Sequence, residues 1–103
     1  MTRMTVTVPT SIDAGELERE LVTAVADRLR DDHGYRLVAE SPRAASAART
    51  EYPMDPTGKV VVDKKPGALR VGLRGLEVDA HDLFTGISSE LGLRHEGLRT
   101  EIG

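Results

Sequence analysis

The chain has 103 residues, of which 39% are hydrophobic and 30% charged, and its formal net charge is −3. These values fit one compact domain, residues 1–103, rather than two domains or a disordered tail. The chain has no cysteine, which excludes disulfides, thiolate nucleophiles and cysteine-ligated zinc. No apolar run approaches a membrane span and the N-terminus offers no signal-peptide core, so we expect a cytoplasmic protein that binds no membrane.

The first predicted elements are a strand and a long helix. Apolar residues alternate with threonines over 4–8, which predicts a strand with one buried face. A helix is predicted over 13–33, because Asp13 can cap its first amides and Gly34 follows its last turn. Its buried stripe is predicted to consist of Leu17, Leu21, Val25 and Leu29.

The middle of the chain is predicted to be less regular. Residues 35–40 are expected to form a short strand. Residues 41–58 are predicted to be a long, mobile connection, because periodicity is lost there and three prolines interrupt the segment. We expect this connection to act as a contact arm for a partner. Its candidate partner-binding residues are Arg43, Arg49 and Tyr52.

A β-hairpin and a second helix are predicted next. Residues 59–64 and 68–74 are apolar-rich strands separated by a Lys-Pro-Gly turn. The second helix, over 79–91, repeats the start of the first and is expected to stop at Gly92. A last strand is expected within 93–102. The side chains predicted to be buried here are Leu83, Phe84, Ile87, Leu91, Leu98 and Ile102.

This order of elements predicts an α+β fold. Two strand–helix–strand halves give a two-layer, ferredoxin-like (split βαβ) sandwich with an extra β-hairpin strand, in which both helices cover one face of a mostly antiparallel sheet. Whether 35–40 or 59–64 lies at the sheet edge is left open. The other face of the sheet is expected to be apolar and to need a cover. Its aliphatic residues would be Val60, Val62, Leu69, Val71 and Leu73.

No motif typical of an enzyme or a metal site is present in the sequence. The serines lack a nucleophile elbow, and Pro53 and Val60 break the phosphate-loop pattern around Lys59. The three histidines are not spaced as metal ligands. We therefore expect no catalytic residue, no metal ligand and no cofactor. His81 and His95 are the first candidates for a site assembled by the fold.

The distribution of charge carries more information than any motif. Residues 13–33 contain seven acidic and three basic residues, and residues 75–103 contain six acidic and two basic ones. The predicted hairpin, residues 59–74, contains five basic residues and one acidic one. Its basic residues are the candidate binding residues for an anionic partner. They are Lys59, Lys64, Lys65, Arg70 and Arg74.

Three functions are compatible with this pattern. The first is a non-enzymatic protein–protein interaction or assembly module, which acts as a homo-oligomer or as a subunit of a larger complex, so that its partner is itself or another protein. The second is nucleic-acid binding by the basic hairpin, which is less favoured because the hairpin has no aromatic residue for stacking on bases. The third is a small-molecule-sensing regulatory domain, by analogy with other sandwiches of this fold.

Overall fold

The structure is a computed structural model that describes residues 2–38, 43–44 and 46–103, with the backbone alone described for residues 43 and 44. It is an α+β fold in which two helices cover one face of an antiparallel sheet. The predicted class and the antiparallel sheet are therefore confirmed. The elements in chain order are β1 Arg3–Thr7, α1 Ala14–His33, β2 Arg36–Leu37, β3 Arg43–Ala44, β4 Arg49–Asp55, β5 Lys59–Lys65, β6 Ala68–Arg74, α2 Ala80–Arg94 and β7 Arg99–Ile102.

The strand order in the sheet is β2-β4-β5-β6-β1-β7, and β3 also pairs with β4. Every neighbouring pair is antiparallel. The first strand is interior, because Met4 pairs with Val71 of β6 on one side and with Ile102 of β7 on the other. Of the two candidates for the sheet edge, β2 lies at the edge and β5 is interior. The strand β2 falls within the predicted strand 35–40, whose residues 39 and 40 lie outside the described residues.

The start and end of α1 agree with the prediction. The carboxylate of Asp13 accepts a hydrogen bond from the amide of Glu16 at 3.0 Å. Gly34 adopts a left-handed conformation with φ of +75°, and its amide donates to the carbonyl of Arg30. Both signals act within a few residues of the helix end, so the sequence alone is sufficient to place them.

The second helix is longer than predicted. Asp79 caps it as expected, since its carboxylate accepts from the amide of Asp82 at 3.1 Å. Gly92, however, does not stop the helix, which continues to Arg94. The amide of His95 still donates to the carbonyl of Leu91 at 2.8 Å, and the chain reverses only at Gly97, where φ is +82°. The helical hydrogen bonds therefore continue through a glycine that needs no special conformation.

The prediction of a long connection over 41–58 is wrong for residues 43–44, which form β3 and pair with β4, and for residues 49–55. Residues 49–55 form β4, which pairs with β5 over five positions from Arg49 to Pro53. Tyr52 and Met54 point into the core, where they are 8% and 4% exposed. The strand was not predicted from the sequence because it contains Pro53, and proline within a run argues against an interior strand. Within the predicted connection, residues 41, 42 and 45 and the side chain of Arg43 lie outside the described residues.

One hydrophobic core lies between the helices and the sheet. Both helices and alternate residues of the strands contribute to it, and the side chains predicted to be buried in the helices lie there. The prediction of an open apolar sheet face is wrong, because the helices cover the aliphatic residues assigned to it. Val60, Val62, Leu69, Val71 and Leu73 are each at most 8% exposed. A strand places successive side chains on opposite faces, so the other face receives the polar residues.

Candidate functional site

In the described part of the chain, both helices lie on one face of the sheet. The other face, here called the open face, is densely charged. Its residues alternate with the core residues along each strand, so the strand registers identify them. Counted together over β1 and β4 to β7, the basic residues of this face outnumber the acidic ones by seven to four. The basic residues are Arg3, Arg49, Lys59, Lys65, Arg70, Arg74 and Arg99, and the acidic ones are Glu51, Asp55, Asp63 and Glu101.

Two carboxylates of the open face already have basic partners. Arg49 donates to both oxygens of Asp63, at 2.7 and 3.4 Å, across the β4–β5 pair. This bidentate contact holds the pKa of Asp63 below its usual value and raises the pKa of Arg49. Lys59 donates to Glu51 at 2.9 Å, and this contact lowers the pKa of Glu51. Both carboxylates are therefore ionised, and each is paired with a basic side chain of a neighbouring strand.

Several basic residues of the open face have no acidic partner among the described residues, and three of them line one depression. We call these three the arginine cluster: Arg3, Arg70 and Arg74. Within the described part of the chain, no carboxylate oxygen lies within 4.0 Å of their guanidinium nitrogens. The charges of Arg3 and Arg74 nevertheless act on the paired acids, because Arg3 helps to lower the pKa of Asp63 and Arg74 helps to lower that of Glu51. Like charges crowded on neighbouring strands repel one another, so this arrangement favours an anion from outside the chain.

A small depression in the open face is lined by the arginine cluster together with Arg49, Asp63, Val61 and Gly72. Gly72 lies at its centre, paired with Arg3 on β1 and with Val61 on β5. Arg70 and Arg74 occupy the positions two residues before and after Gly72 on β6, on the same face. The depression has a volume of about 10 Å³, which is room for about one water molecule. A larger anion would therefore bind across its mouth, within reach of all three arginines.

A wider, open groove adjoins this depression. It has a volume of about 470 Å³ and runs from β6 across β1 to β7. Arg3 and Arg70 belong to the walls of both concavities, so the two form one continuous surface. Glu101 lies on the far side of the groove, which gives this part of the open face a mixed charge. A surface of this shape suits an extended segment lying across the strands more than an enclosed small molecule.

The candidate residues of the hairpin do not all lie together. Lys59, Lys65, Arg70 and Arg74 share the open face, but Lys64 lies on the helix side of the sheet. Its ammonium is 3.4 Å from a carboxylate oxygen of Glu18 on α1. The alternation Val60, Val62, Lys64 explains this position, because these three residues point to the same side. Lys64 is therefore placed with the helices and not with the other basic residues.

The candidate residues of the contact arm are also divided. Arg49 lies on the open face, whereas the side chain of Arg43 lies outside the described residues. Tyr52 is buried at 8% exposure, and its hydroxyl donates to a carboxylate oxygen of Glu18. Burial raises the pKa of Tyr52, and the neighbouring carboxylate raises it further. The interpretation of Tyr52 as an exposed contact is wrong, because its ring belongs to the core.

The histidines do not form a common site. His81 lies in the first turn of α2 and His95 at its C-terminal end. Fourteen residues of helix place them about 21 Å apart along its axis. His95 instead contacts Glu20 of α1 at 2.8 Å and lowers the pKa of that carboxyl. Among the described residues, no group of three histidine or acidic side chains is arranged to hold a metal ion.

Two parts of the candidate site were missed in the sequence. Arg3 lies outside the predicted hairpin, although its place before Met4 in an alternating strand already puts it on the polar face. Its pairing with Gly72 joins distant segments of the chain and has no local signal. Gly72 itself carries no charge and becomes part of the site only through its neighbours.

Comparisons with known proteins found no matching family model, no matching curated protein and no matching solved structure. The helices in the described part of the chain are too short or too polar to cross a membrane. The geometry of the open face is therefore the basis on which a function can be argued.

Proposed function

We propose that the protein is a non-enzymatic protein–protein interaction module that docks an acidic segment of a partner protein on the open face of its sheet. The observation that carries this proposal is the arginine cluster, in which Arg3, Arg70 and Arg74 have no acidic partner among the described residues. Acidic side chains from a partner would supply the missing charge and would be steered toward the face from a distance.

An acidic protein segment fits the open face better than a nucleic acid does. Glu51, Asp63 and Glu101 interrupt the basic residues of the open face, so the face offers no continuous basic track along which a phosphate backbone could run. Bases would also find no stacking partner, because Phe84, Tyr35 and Tyr52 are all buried. A protein partner can match a surface of mixed charge residue by residue.

A homo-oligomer is the second form of this proposal. Two copies cannot join open face to open face, because the two arginine clusters would repel each other. They could join head to tail, with the acidic helix layer of one copy on the open face of the next. Such contacts are heterologous and lead to rings or filaments rather than to a two-fold dimer. We therefore favour a different protein as the partner.

The proposed fold family is ferredoxin-like. The four strands β5, β6, β1 and β7, together with both helices, have the connections of a split βαβ sandwich. On this interpretation β2, β3 and β4 are an addition between α1 and β5. The addition widens the open face and brings Arg49 to it. The cytoplasmic location expected from the sequence stays part of the proposal.

The test is a binding titration with a short, fluorescently labelled glutamate-rich peptide. We expect binding at low salt that weakens as salt rises, and no binding of a glutamine-rich peptide of equal length. Arg70→Gln should weaken binding by about two- to fivefold. Arg19→Gln removes the same charge from an exposed position on α1 and should leave binding unchanged.

Two results would overturn the assignment. Equal losses in the two variants would mean that only net charge matters. Tighter binding of a DNA or RNA duplex than of the peptide would show that the partner of the open face is a nucleic acid. Sedimentation at several protein concentrations distinguishes the homo-oligomeric form, which requires association that increases with concentration and decreases with salt.

A further inference from the structure

We propose that the arginine cluster is a subsite for a phosphoryl dianion, so that the acidic segment carries a phosphorylated residue. This inference rests on the proposed function and specifies its central contact. It starts from the charge at the depression. Asp63 is committed to Arg49 by a bidentate contact, and Arg3, Arg70 and Arg74 stand around the same depression without an acidic partner among the described residues.

Three guanidinium groups are more than one carboxylate can use. A glutamate or aspartate side chain offers one negative charge and two oxygens, which a single arginine satisfies in a bidentate contact. A phosphate monoester carries close to two negative charges and three terminal oxygens. Arg3 lies opposite Gly72 on β1, and Arg70 and Arg74 lie two residues before and after it on β6, so that each arginine could donate to one of these oxygens. The number and placement of the donors therefore match a phosphoryl group.

The glycine at the centre of the cluster is a second, independent observation. Gly72 stands in the middle of β6, where a glycine weakens a strand. Its backbone does not require glycine, because its φ is not among the positive ones. Packing against the helices does not require it either, because a side chain at this position would point to the open face. A glycine at this position places no side chain between Arg3, Arg70 and Arg74.

The floor of the depression completes the subsite. Val61, next to Gly72 on β5, is 5% exposed although no helix covers its side of the sheet. Together with Gly72 it forms an apolar floor among charged side chains. Removing nearby water strengthens the attraction between the guanidinium groups and a bound anion. The phosphoryl group would bind across the mouth of the depression, above this floor, and the rest of the segment would continue into the groove lined by Arg3 and Arg70.

The test compares three labelled peptides that share one glutamate-rich sequence and differ at a central residue, which is serine, glutamate or phosphoserine. We expect the phosphoserine peptide to bind about tenfold more tightly than the glutamate peptide. Inorganic phosphate at constant ionic strength should displace it better than chloride does. Arg3→Gln, Arg70→Gln, Arg74→Gln and Gly72→Val should each reduce this preference, the last one by filling the depression without removing a charge.

A matched control variant and a second ligand show which results would contradict the inference. Arg99→Gln removes a charge from the same face outside the cluster and should keep the tenfold preference. Equal affinities for the phosphoserine and glutamate peptides would overturn the inference and leave the proposed function intact, whereas no binding of either would overturn both. A single-stranded oligonucleotide that binds as tightly as the phosphoserine peptide would also overturn it, because its phosphates are diesters with one charge each. Circular dichroism of each variant ensures that a loss of binding is not a loss of folding.

Discussion

Asp63 lowers the net positive charge beside the arginine cluster, because its carboxylate neutralises Arg49. Its carboxylate holds Arg49, so Asp63→Asn would free a fourth arginine at the edge of the depression. We expect this variant to bind the glutamate-rich peptide about twofold more tightly or better. The loss of stability should be small, because the pair is partly exposed and screened by solvent. Peptide titration and urea denaturation measure the two effects, and weaker peptide binding would contradict the account.

Acid pH should destabilise the fold through the paired carboxylates. The pKa values of Glu20, Glu51 and Asp63 are lowered, because basic side chains hydrogen-bond to their ionised forms. A carboxyl with a depressed pKa stabilises the folded state above its ordinary pKa, which is about 4. This contribution is lost as the pH falls through the lower folded value.

Urea denaturation at neutral pH and at several acid values measures this dependence. We expect stability to fall below about pH 4, and to fall less steeply in Glu20→Gln and Asp63→Asn than in the natural chain. An unchanged slope in both variants would show that other groups control acid unfolding.

The helix α1 owes its place to a buried stripe rather than to its charged surface. Leu21, at the centre of the stripe, is 0% exposed, whereas Leu93 near the end of α2 is 90% exposed. Leu21→Ala should therefore cost about 2 to 5 kcal/mol of unfolding free energy through lost burial and a cavity. Leu93→Ala should change it by no more than about 0.5 kcal/mol. Urea denaturation of the two variants checks this, and equal losses would show that the core is placed wrongly.

The elements divide into those with local signals and those without. The starts of both helices and the hairpin could be predicted, because Asp13, Asp79 and Gly67 act on residues next to them. The strand β4 could not, because Pro53 interrupts its pattern and only two of its residues, Tyr52 and Met54, are buried. The end of α2 was placed too early, because Gly92 remains helical when Leu91 holds the last turns in the core.

The candidate site was predictable in part for the same reason. Arg70, Arg74 and Lys59 lie on one hairpin, so their shared face follows from its register. Lys64 was grouped with them only because the charge of the whole segment was summed without separating its two faces. Arg3 joins the cluster through the pairing of β1 with β6, which brings together residues about 70 positions apart and depends on the complete fold.

At the scale of the whole molecule, the two layers have opposite roles. The helix layer is acidic, and many of its charges are neutralised internally, for example Glu20 and Glu90 by Arg94. Most aliphatic side chains of the strands are buried in the core, so the surface of the open face is charged rather than apolar. A basic face on a chain of net charge −3 can attract an acidic partner while the remaining surface repels it. The orientation of binding is thereby defined.

The most direct test of the central claim is to map the peptide contact by NMR. Amide chemical shifts of the protein would be followed during titration with the glutamate-rich peptide. The account predicts that the largest changes occur on β5, β6 and β1, around Val61, Gly72 and Arg3, with little change at exposed residues of α1 such as Thr23. Shift changes centred on α1, or none at a peptide concentration that saturates binding, would contradict it.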